Sequence, residues 1–336
     1  AICEIGDYLL ESGVRLPDVQ VSYVTYGKLN TDGSNAILVC HGYTAGPSML
    51  AHGGTTGEGS WAPLIGLGKP LDTERYFIVC ANMLGSSYGT TGPASLNANT
   101  GRRYGIDFPD ITMADIVGVQ KRLLDRLGVK SLQSVLGPSL GGFQAQQWAL
   151  DYADMVQTIG VIVSGPALPA TEHTSMDALW SRLSSASEWN GGHYENTQAL
   201  IPMMTALRLE TLKTYGMDAV LRAANHGPDM RERIMIDMSE RWASSFDACS
   251  LVVLLKAARR FDIHNRLKEI QADVLFVSSD SDVLFPPDSD ISGAYKSLRG
   301  RRRAAEVFSM NTSFGHQASG PAHALWSGAL RRLLED

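Results

Sequence analysis

Gly137-Pro138-Ser139-Leu140-Gly141-Gly142 stands directly after the apolar run Leu132, Val135, Leu136 and directly before a helix-favouring stretch, Phe143 to Ala149. A strand, then Gly-x-Ser-x-Gly, then a helix makes a sharp turn that pushes the serine hydroxyl outward at the carboxyl end of a sheet. Residues at the corners of such a turn must lack bulk. Gly137 and Gly141 meet that need, and Gly142 lets the helix pack close to the strand. In a chain with 33 glycines the pattern alone recurs by chance. The strand before it and the helix after it make Ser139 a candidate nucleophile rather than a solvated turn serine.

Working outward, strand and helix signals alternate. Val19 to Tyr26 alternates like an exposed early strand. Ala36–Cys40, Tyr76–Cys80, Thr158–Val163 and Val274–Ser278 are short continuous apolar runs, the pattern of parallel strands buried on both faces. Asp115 to Leu127 carries a helical apolar face that stops at Gly128. Ala305–Phe308 reads as the last strand and Ala322 to Leu333 as the final helix, while Asp288 and Asp290 sit where a helix cap is expected. This alternation predicts an α/β chain with a mostly parallel sheet and helices on both faces.

The regularity stops at Gly165–Pro169. From about Ala170 to Asp247 no strand pattern appears, and the stretch is rich in methionine: Met176, Met203, Met204, Met217, Met230, Met235 and Met238. It reads as a helical lid, residues 168–245, inserted over the serine between core segments 1–167 and 246–336. Its methionines are candidates to line an acyl or alcohol pocket, though core filling is their commoner use.

A serine hydroxyl is a weak nucleophile and needs a base, itself oriented by an acid. Where a sheet of this kind carries the elbow, it resembles an α/β-hydrolase fold, whose chain order is serine, acid, histidine. His316, in Ser313-Phe314-Gly315-His316-Gln317 after the last strand, is the candidate base. His323 is the near rival but falls within the final helical pattern. His173, His193, His226 and His264 lie in more polar surroundings upstream. The acid should follow the strand Val274–Ser278, and Asp280 and Asp282 compete for that place. Asp282 is favoured because Val283-Leu284-Phe285 and Pro286-Pro287 can fix it; Asp280 is nearer the strand end and suits a turn cap. Acyl transfer also needs donors for a developing oxyanion. The N–H groups of Leu140, after the nucleophile, and of Tyr43, in the loop His41–Gly46, are the candidates. His41 reads as a structural histidine bonded within its loop.

Several longer stretches carry a resemblance. Asn82-Met83-Leu84-Gly85-Ser86-Ser87-Tyr88-Gly89-Thr90-Thr91-Gly92-Pro93-Ala94-Ser95, Tyr104–Pro109, Ile111–Asp115, Gly137–Trp148, Asp282–Pro287 and Gly315-His316 are similar to the motifs of the homoserine O-acetyltransferase branch of the α/β-hydrolases. The resemblance covers most of residues 15–165 and 245–320. It implies a triad of Ser139, Asp282 and His316, an oxyanion hole at Tyr43 and Leu140, and double displacement through an acyl-serine. It also implies a homodimer. The family's transferases have an aspartate directly after the histidine; this chain has Gln317, which offers no charge to an ammonium. Arg208 matches weakly a family arginine that meets the acceptor carboxylate, and reads equally well as a solvated helix-face arginine. Relatives of this branch include esterases that hydrolyse short alkyl acetates. The missing aspartate tilts the expectation toward a serine carboxylesterase. The alternatives are an O-acetyltransferase using acetyl-coenzyme A and a silent scaffold that binds a ligand or partner.

Composition fits these readings. A chain of 336 residues accommodates an α/β core with an inserted cap. A net charge of −6 argues against nucleic acid and anionic membrane surfaces as partners and leaves a small ester as the expected one. The basic run Arg299, Arg301, Arg302, Arg303 reads as a solvated loop. Cys3, Cys40, Cys80 and Cys249 are scattered without Cys-x-x-Cys spacing, so neither a metal site nor any other cofactor is expected. The glycine-rich loop Gly53–Gly59 lacks the Lys-Ser/Thr ending of a phosphate loop. No apolar run is long enough to span a bilayer, and a cytoplasmic location is expected.

Overall fold

The computed structural model describes residues 1–54, 59–169 and 175–335. Part of the glycine-rich loop and residues 170–174 of the expected lid, His173 among them, therefore lie outside the described residues. An eight-stranded sheet forms the centre. Its strands are β1 (Ile2–Leu9), β2 (Arg15–Tyr26), β3 (Ala36–Cys40), β4 (Phe77–Ala81), β7 (Leu132–Pro138), β8 (Val156–Ile162), β9 (Asp273–Ser279) and β10 (Glu306–Met310). A separate two-stranded ribbon joins β5 (Leu96–Asn97) to β6 (Arg102–Arg103). The order across the sheet is β1-β2-β4-β3-β7-β8-β9-β10. Pairing is parallel from β4 to β10, and antiparallel for β1 with β2 and β2 with β4.

Side chains of β3 separate by parity. Leu38 and Cys40 enter one core with α1 (Met113–Arg126), α2 (Leu140–Asp151) and α7 (Ala248–Arg260). Ile37 and Val39 enter the other with Trp61 and α9 (His323–Glu335). Burial on both faces is why these strands read as continuous apolar runs. The helix expected at 143–149 begins earlier, at Leu140, because the elbow passes straight into its first turn. Gly141 and Gly142, poor helix formers, conceal that turn in the sequence. The helix α1 opens on a capping box between Thr112 and Asp115. Asp288 caps α8 (Ser289–Lys296) by accepting from the N–H groups of Asp290 and Ile291. Strand β1 was not legible in the sequence. Its pairing with β2 slips around Gly6, so it never shows a clean alternation.

Between β8 and α7, apart from a single bridge of Ala167 to Asp262, the regular elements among the described residues are helical: α3 (Ser175–Ser184), α4 (Ile201–Thr214), α5 (Met217–Ala223) and α6 (Pro228–Ala243), with short 3₁₀ turns. Met217 and Met235 pack with Leu212 and Leu221 into a small core of these helices, and Met204 joins the main core. These three methionines fill cores, whereas Met230 is exposed.

The basic run is not wholly solvated. Arg302 donates from its backbone N–H and its guanidinium to the buried carboxylate of Asp273, which fastens the loop to the start of β9. All four cysteines are free thiols, and burial raises those of Cys40 and Cys80. Among the described residues no helix is long and apolar enough to cross a membrane, and no group of three His, Cys, Asp or Glu side chains is placed to hold a metal ion.

The elbow rests on close backbone approach. A Cβ on Gly137 would lie 2.3 Å from the Gly141 carbonyl group, and one on Gly141 would lie 2.1 Å from the Cys40 carbonyl oxygen. Neither neighbour is a flexible side chain. Gly141→Ala is expected to lower unfolding stability by about 2 kcal/mol or more, the cost of overpacking. Gly293→Ala, in the exposed middle of α8 where a Cβ meets nothing within 4 Å, should be neutral or stabilising. Urea unfolding of both variants checks the contrast; equal midpoints would refute it.

Candidate active site

Ser139 sits at the turn from β7 to α2 with φ 55° and ψ −125°. A left-handed backbone is costly for a non-glycine residue and persists only where the surroundings enforce it. Here the Ser139 N–H donates to the Ile162 carbonyl at 2.9 Å. Its carbonyl accepts from the Gly142 N–H at 2.8 Å and from the Ser164 hydroxyl at 2.7 Å. The serine is thus held from both sides and faces a cavity of about 190 Å³.

The loop after β9 brings Asp282 to His316. Asp282 Oδ1 accepts from the N–H groups of Leu284 at 2.9 Å and Phe285 at 3.1 Å, the local fixing expected of Val283–Phe285. Asp282 Oδ2 lies 2.8 Å from His316 Nδ1, with both side chains fully buried. Nδ1–H then donates to the carboxylate, and in the neutral ring the lone pair falls on Nε2. Asp280 goes elsewhere: its carboxylate accepts from Ser309 Oγ and its N–H donates to Met310. His323 opens α9 and its ring contacts the Gly320 carbonyl. The His316 turn is anchored from below by two tryptophans. Trp61 Nε1 donates to Ser319 Oγ and Trp326 Nε1 to the Ser319 carbonyl. Above it, the Tyr215 ring meets the imidazole edge-on at 4.7 Å and Phe285 lies roughly parallel at 5.8 Å.

Tyr43 and Leu140 line the same cavity as Ser139. Leu140 opens α2, and N–H groups of a first helical turn have no intrahelical partner. The Tyr43 hydroxyl donates to the Leu251 carbonyl at 2.6 Å, so the side chain is tied to α7. His41 is structural, as expected, but it reaches beyond its loop. Nδ1 lies 2.9 Å from the Gly42 carbonyl and Nε2 lies 2.8 Å from Asn82 Oδ1. Burial pushes its pKa down to about 4, so near neutral pH the uncharged ring donates to one of these oxygens. The buried Gln144 amide links both walls, donating to the carbonyls of His41 at 3.1 Å and Leu140 at 3.2 Å.

Helices between β8 and α7 complete the cavity. Leu179 comes from α3, Leu207, Arg208 and Thr211 from α4, and Trp242 from α6. Arg208 is not a solvated helix-face residue. It is 3% exposed, donates to Thr44 Oγ1 at 2.8 Å, and its guanidinium lies 5.2 Å from the Trp242 ring centre. Gln317 is buried beside His316 and is not part of the cavity lining; its N–H donates to the Tyr215 carbonyl at 3.0 Å. None of the methionines lines this cavity. Thr44, Tyr215, Trp242, Leu251 and Leu255 do, and sequence reasoning singled out none of them, because no local pattern marks a residue as cavity-facing. A larger cavity of about 620 Å³, bordered by Ser87, Tyr88, Tyr194 and Asp247, includes none of Ser139, Tyr43 or Leu140, so size does not pick out the site.

Comparison with known proteins agrees with this architecture. Residues 35–199 match the family model described as alpha/beta hydrolase fold. A homoserine O-acetyltransferase of Chloroherpeton thalassium is 38% identical over 83% of this chain and 75% of its own. One from Moorella thermoacetica is 36% identical over 92% of this chain and 88% of its own. Among solved structures, esterase E22 superposes with a TM-score of 0.87 at 25% identity, over 100% of this chain and 99% of its own. The homoserine O-acetyltransferase of Bacillus anthracis gives 0.83 at 26% identity, over 100% and 97%. With the elbow, the sheet order and these likenesses together, the chain belongs to the homoserine O-acetyltransferase-like family of α/β-hydrolases.

Proposed function

We propose that the chain is a serine carboxylesterase that hydrolyses short-chain acyl esters, acetyl esters foremost, through an acyl-Ser139 intermediate. The observation that carries this reading is the buried His316–Asp282 contact of 2.8 Å, set against the small, largely apolar cavity that holds Ser139. In the reaction His316 Nε2 takes the Ser139 proton as Oγ bonds to the acyl carbon. The N–H groups of Tyr43 and Leu140 donate to the oxyanion. As the acyl–oxygen bond breaks, His316 returns the proton to the leaving alcohol. Water then repeats the sequence and frees the acid. Asp282 keeps the imidazole in the tautomer that this exchange needs. The helices α3–α6 act as the lid, and a cavity of about 190 Å³ suits a short acyl group. By family likeness, the enzyme works as a homodimer in the cytoplasm.

One observation favours a second reading, acetyl transfer from acetyl-coenzyme A to homoserine or another alcohol. Arg208 brings a buried guanidinium to the cavity wall, where a carboxylate of an acceptor could pair with it. The named relatives point the same way. Against it stands Gln317. In place of the carboxylate that the family's transferases carry after the histidine, this chain has a buried neutral amide outside the cavity lining, which offers no charge to offset an ammonium's lost hydration. Purified protein offered ethyl acetate, and in parallel acetyl-coenzyme A with homoserine, decides between the two by kcat/KM.

Three outcomes follow from the esterase reading. Ser139→Ala should abolish turnover with an unchanged melting temperature, and intact mass after ester addition should show no acyl adduct. Asp282→Asn should lower kcat by about 10⁴-fold, the scale of losing the group that orients the base. Asp280→Asn should cost less than about threefold, and steady-state kinetics on the pair would expose a reversed assignment. Gln317→Asp should raise acetyl-homoserine formation from the low level expected of the wild type. Efficient transfer by the wild type would instead establish the second reading.

A further inference from the structure

Val163 is a strained residue that the proposed chemistry leaves unexplained. It follows β8 with φ 42°, a left-handed backbone at a β-branched, fully buried side chain. Such a conformation is a genuine outlier and persists only when neighbouring contacts over-determine it. The contacts are present. The Val163 N–H donates to the Val277 carbonyl at 2.7 Å, and two residues on, the Gly165 carbonyl accepts from the Gln146 side chain at 2.8 Å. That amide is itself fixed by the buried Tyr295 hydroxyl, which donates to Gln146 Oε1. The residue swung into place by this turn is Ser164, 4% exposed, whose hydroxyl donates to the Ser139 carbonyl at 2.7 Å.

The bonded carbonyl matters because of its peptide unit. The C=O of Ser139 and the N–H of Leu140 belong to one planar trans peptide, in which the two groups point in opposite directions. Holding the oxygen from behind therefore aims the Leu140 N–H forward, away from β8. Polarising the carbonyl also strengthens that N–H as a donor. Gly142 is part of the device. A Cβ at position 142 would lie 2.5 Å from Ser164 Oγ, so only glycine leaves room for the hydroxyl.

We infer that Ser164 is a positioning residue for acyl transfer: by anchoring the Ser139 carbonyl it orients the Leu140 N–H toward the oxyanion. The inference rests on the acyl-serine reading above and holds whether water or another alcohol resolves the intermediate. Strain at Val163 is then the cost of delivering a hydroxyl beneath the elbow.

The experiment compares wild type with Ser164→Ala and Ser164→Cys, the latter close in size but a weak donor. Two quantities are read: kcat and KM for a short acetyl ester, and the inhibition constant of a small methyl trifluoromethyl ketone. Ser139 Oγ adds to that ketone carbon, the hydroxyl proton passes to His316, and the resulting alkoxide occupies the oxyanion position. In both variants kcat should fall about tenfold or more, below the full loss of a direct oxyanion donor, with KM within about twofold. The ketone's inhibition constant should rise by the same factor as kcat falls. Unchanged kcat overturns the proposal. So does a fall in kcat with unaltered ketone affinity, which would mean a general loosening of the fold. If the alanine variant does not fold, the cysteine variant carries the same comparison. Ser139→Ala is the control for the underlying reading: turnover in that variant would sink the acyl-serine mechanism itself, whereas an inactive Ser139→Ala alongside unaffected Ser164 variants would sink only the role of Ser164.

Discussion

The contact between Gly141 and the end of β3 governs the geometry of the whole site. At 2.1 Å from a would-be Cβ to the Cys40 carbonyl oxygen, the first turn of α2 is pressed onto the strand that leads into His41–Tyr43. Two loops far apart in sequence thereby share one wall, with Ser139 and Leu140 on one side and Tyr43 on the other. Gln144 reinforces the contact one helical turn later by bonding to carbonyls of both loops, and its own Oε1 accepts from Gln120, whose Oε1 accepts from Trp148. This buried polar chain is fully hydrogen-bonded along its length, which is the condition under which such a network rigidifies a core rather than weakening it.

Much of this arrangement was legible in the sequence because it depends on local rules. Buried parallel strands announce themselves as continuous apolar runs, and an elbow announces itself by glycines where no side chain fits. The competition between Asp280 and Asp282 illustrates the limit. Both lie within three residues of the end of the same strand, and only the fold shows that Ser309 and Met310 of β10 engage Asp280 while the turn at Leu284 and Phe285 presents Asp282 to His316. Arg208 marks a second limit. On a helix with polar and apolar residues mixed around its circumference, nothing in the sequence says which face is covered. Burial against Thr44 and Trp242 is decided by how α4 and α6 cross the loop His41–Gly46. Strand β1 escaped for the opposite reason: a slip at Gly6 spoils the period-two pattern on which strand recognition relies.

The cavity combines two chemical characters. Leucines and aromatic rings make most of its wall, and a single guanidinium is set among them. Thr44 serves as a pivot, with its hydroxyl accepting from Arg208 and its carbonyl accepting from Trp242 Nε1. The cation is thus fixed by the same loop that carries Tyr43. Charge at the wall and the proposed oxyanion donor Tyr43 belong to one bonded unit, and in the proposed reaction a substrate pairing with the guanidinium would reach the serine in a defined orientation. On the proposed reading, such a wall would let the scaffold favour one acceptor over another without altering the nucleophile, the acid or the base.

The bond from the Gln317 N–H to the Tyr215 carbonyl joins the covering helices to the turn that carries the imidazole. A Cβ on Gly216 would lie 2.5 Å from the Phe314 carbonyl oxygen, so the two backbones are in direct contact there. Lifting α4 and α5 as a flap would pull on the histidine at the same moment as it let solvent reach the serine. In the proposed reaction access and reactivity would then be mechanically opposed, because a widely opened molecule would have a displaced base. On the proposed reading, a ligand small enough to enter without that movement would meet an intact site and a bulky one a displaced histidine, so the joint would limit the size of what can be turned over.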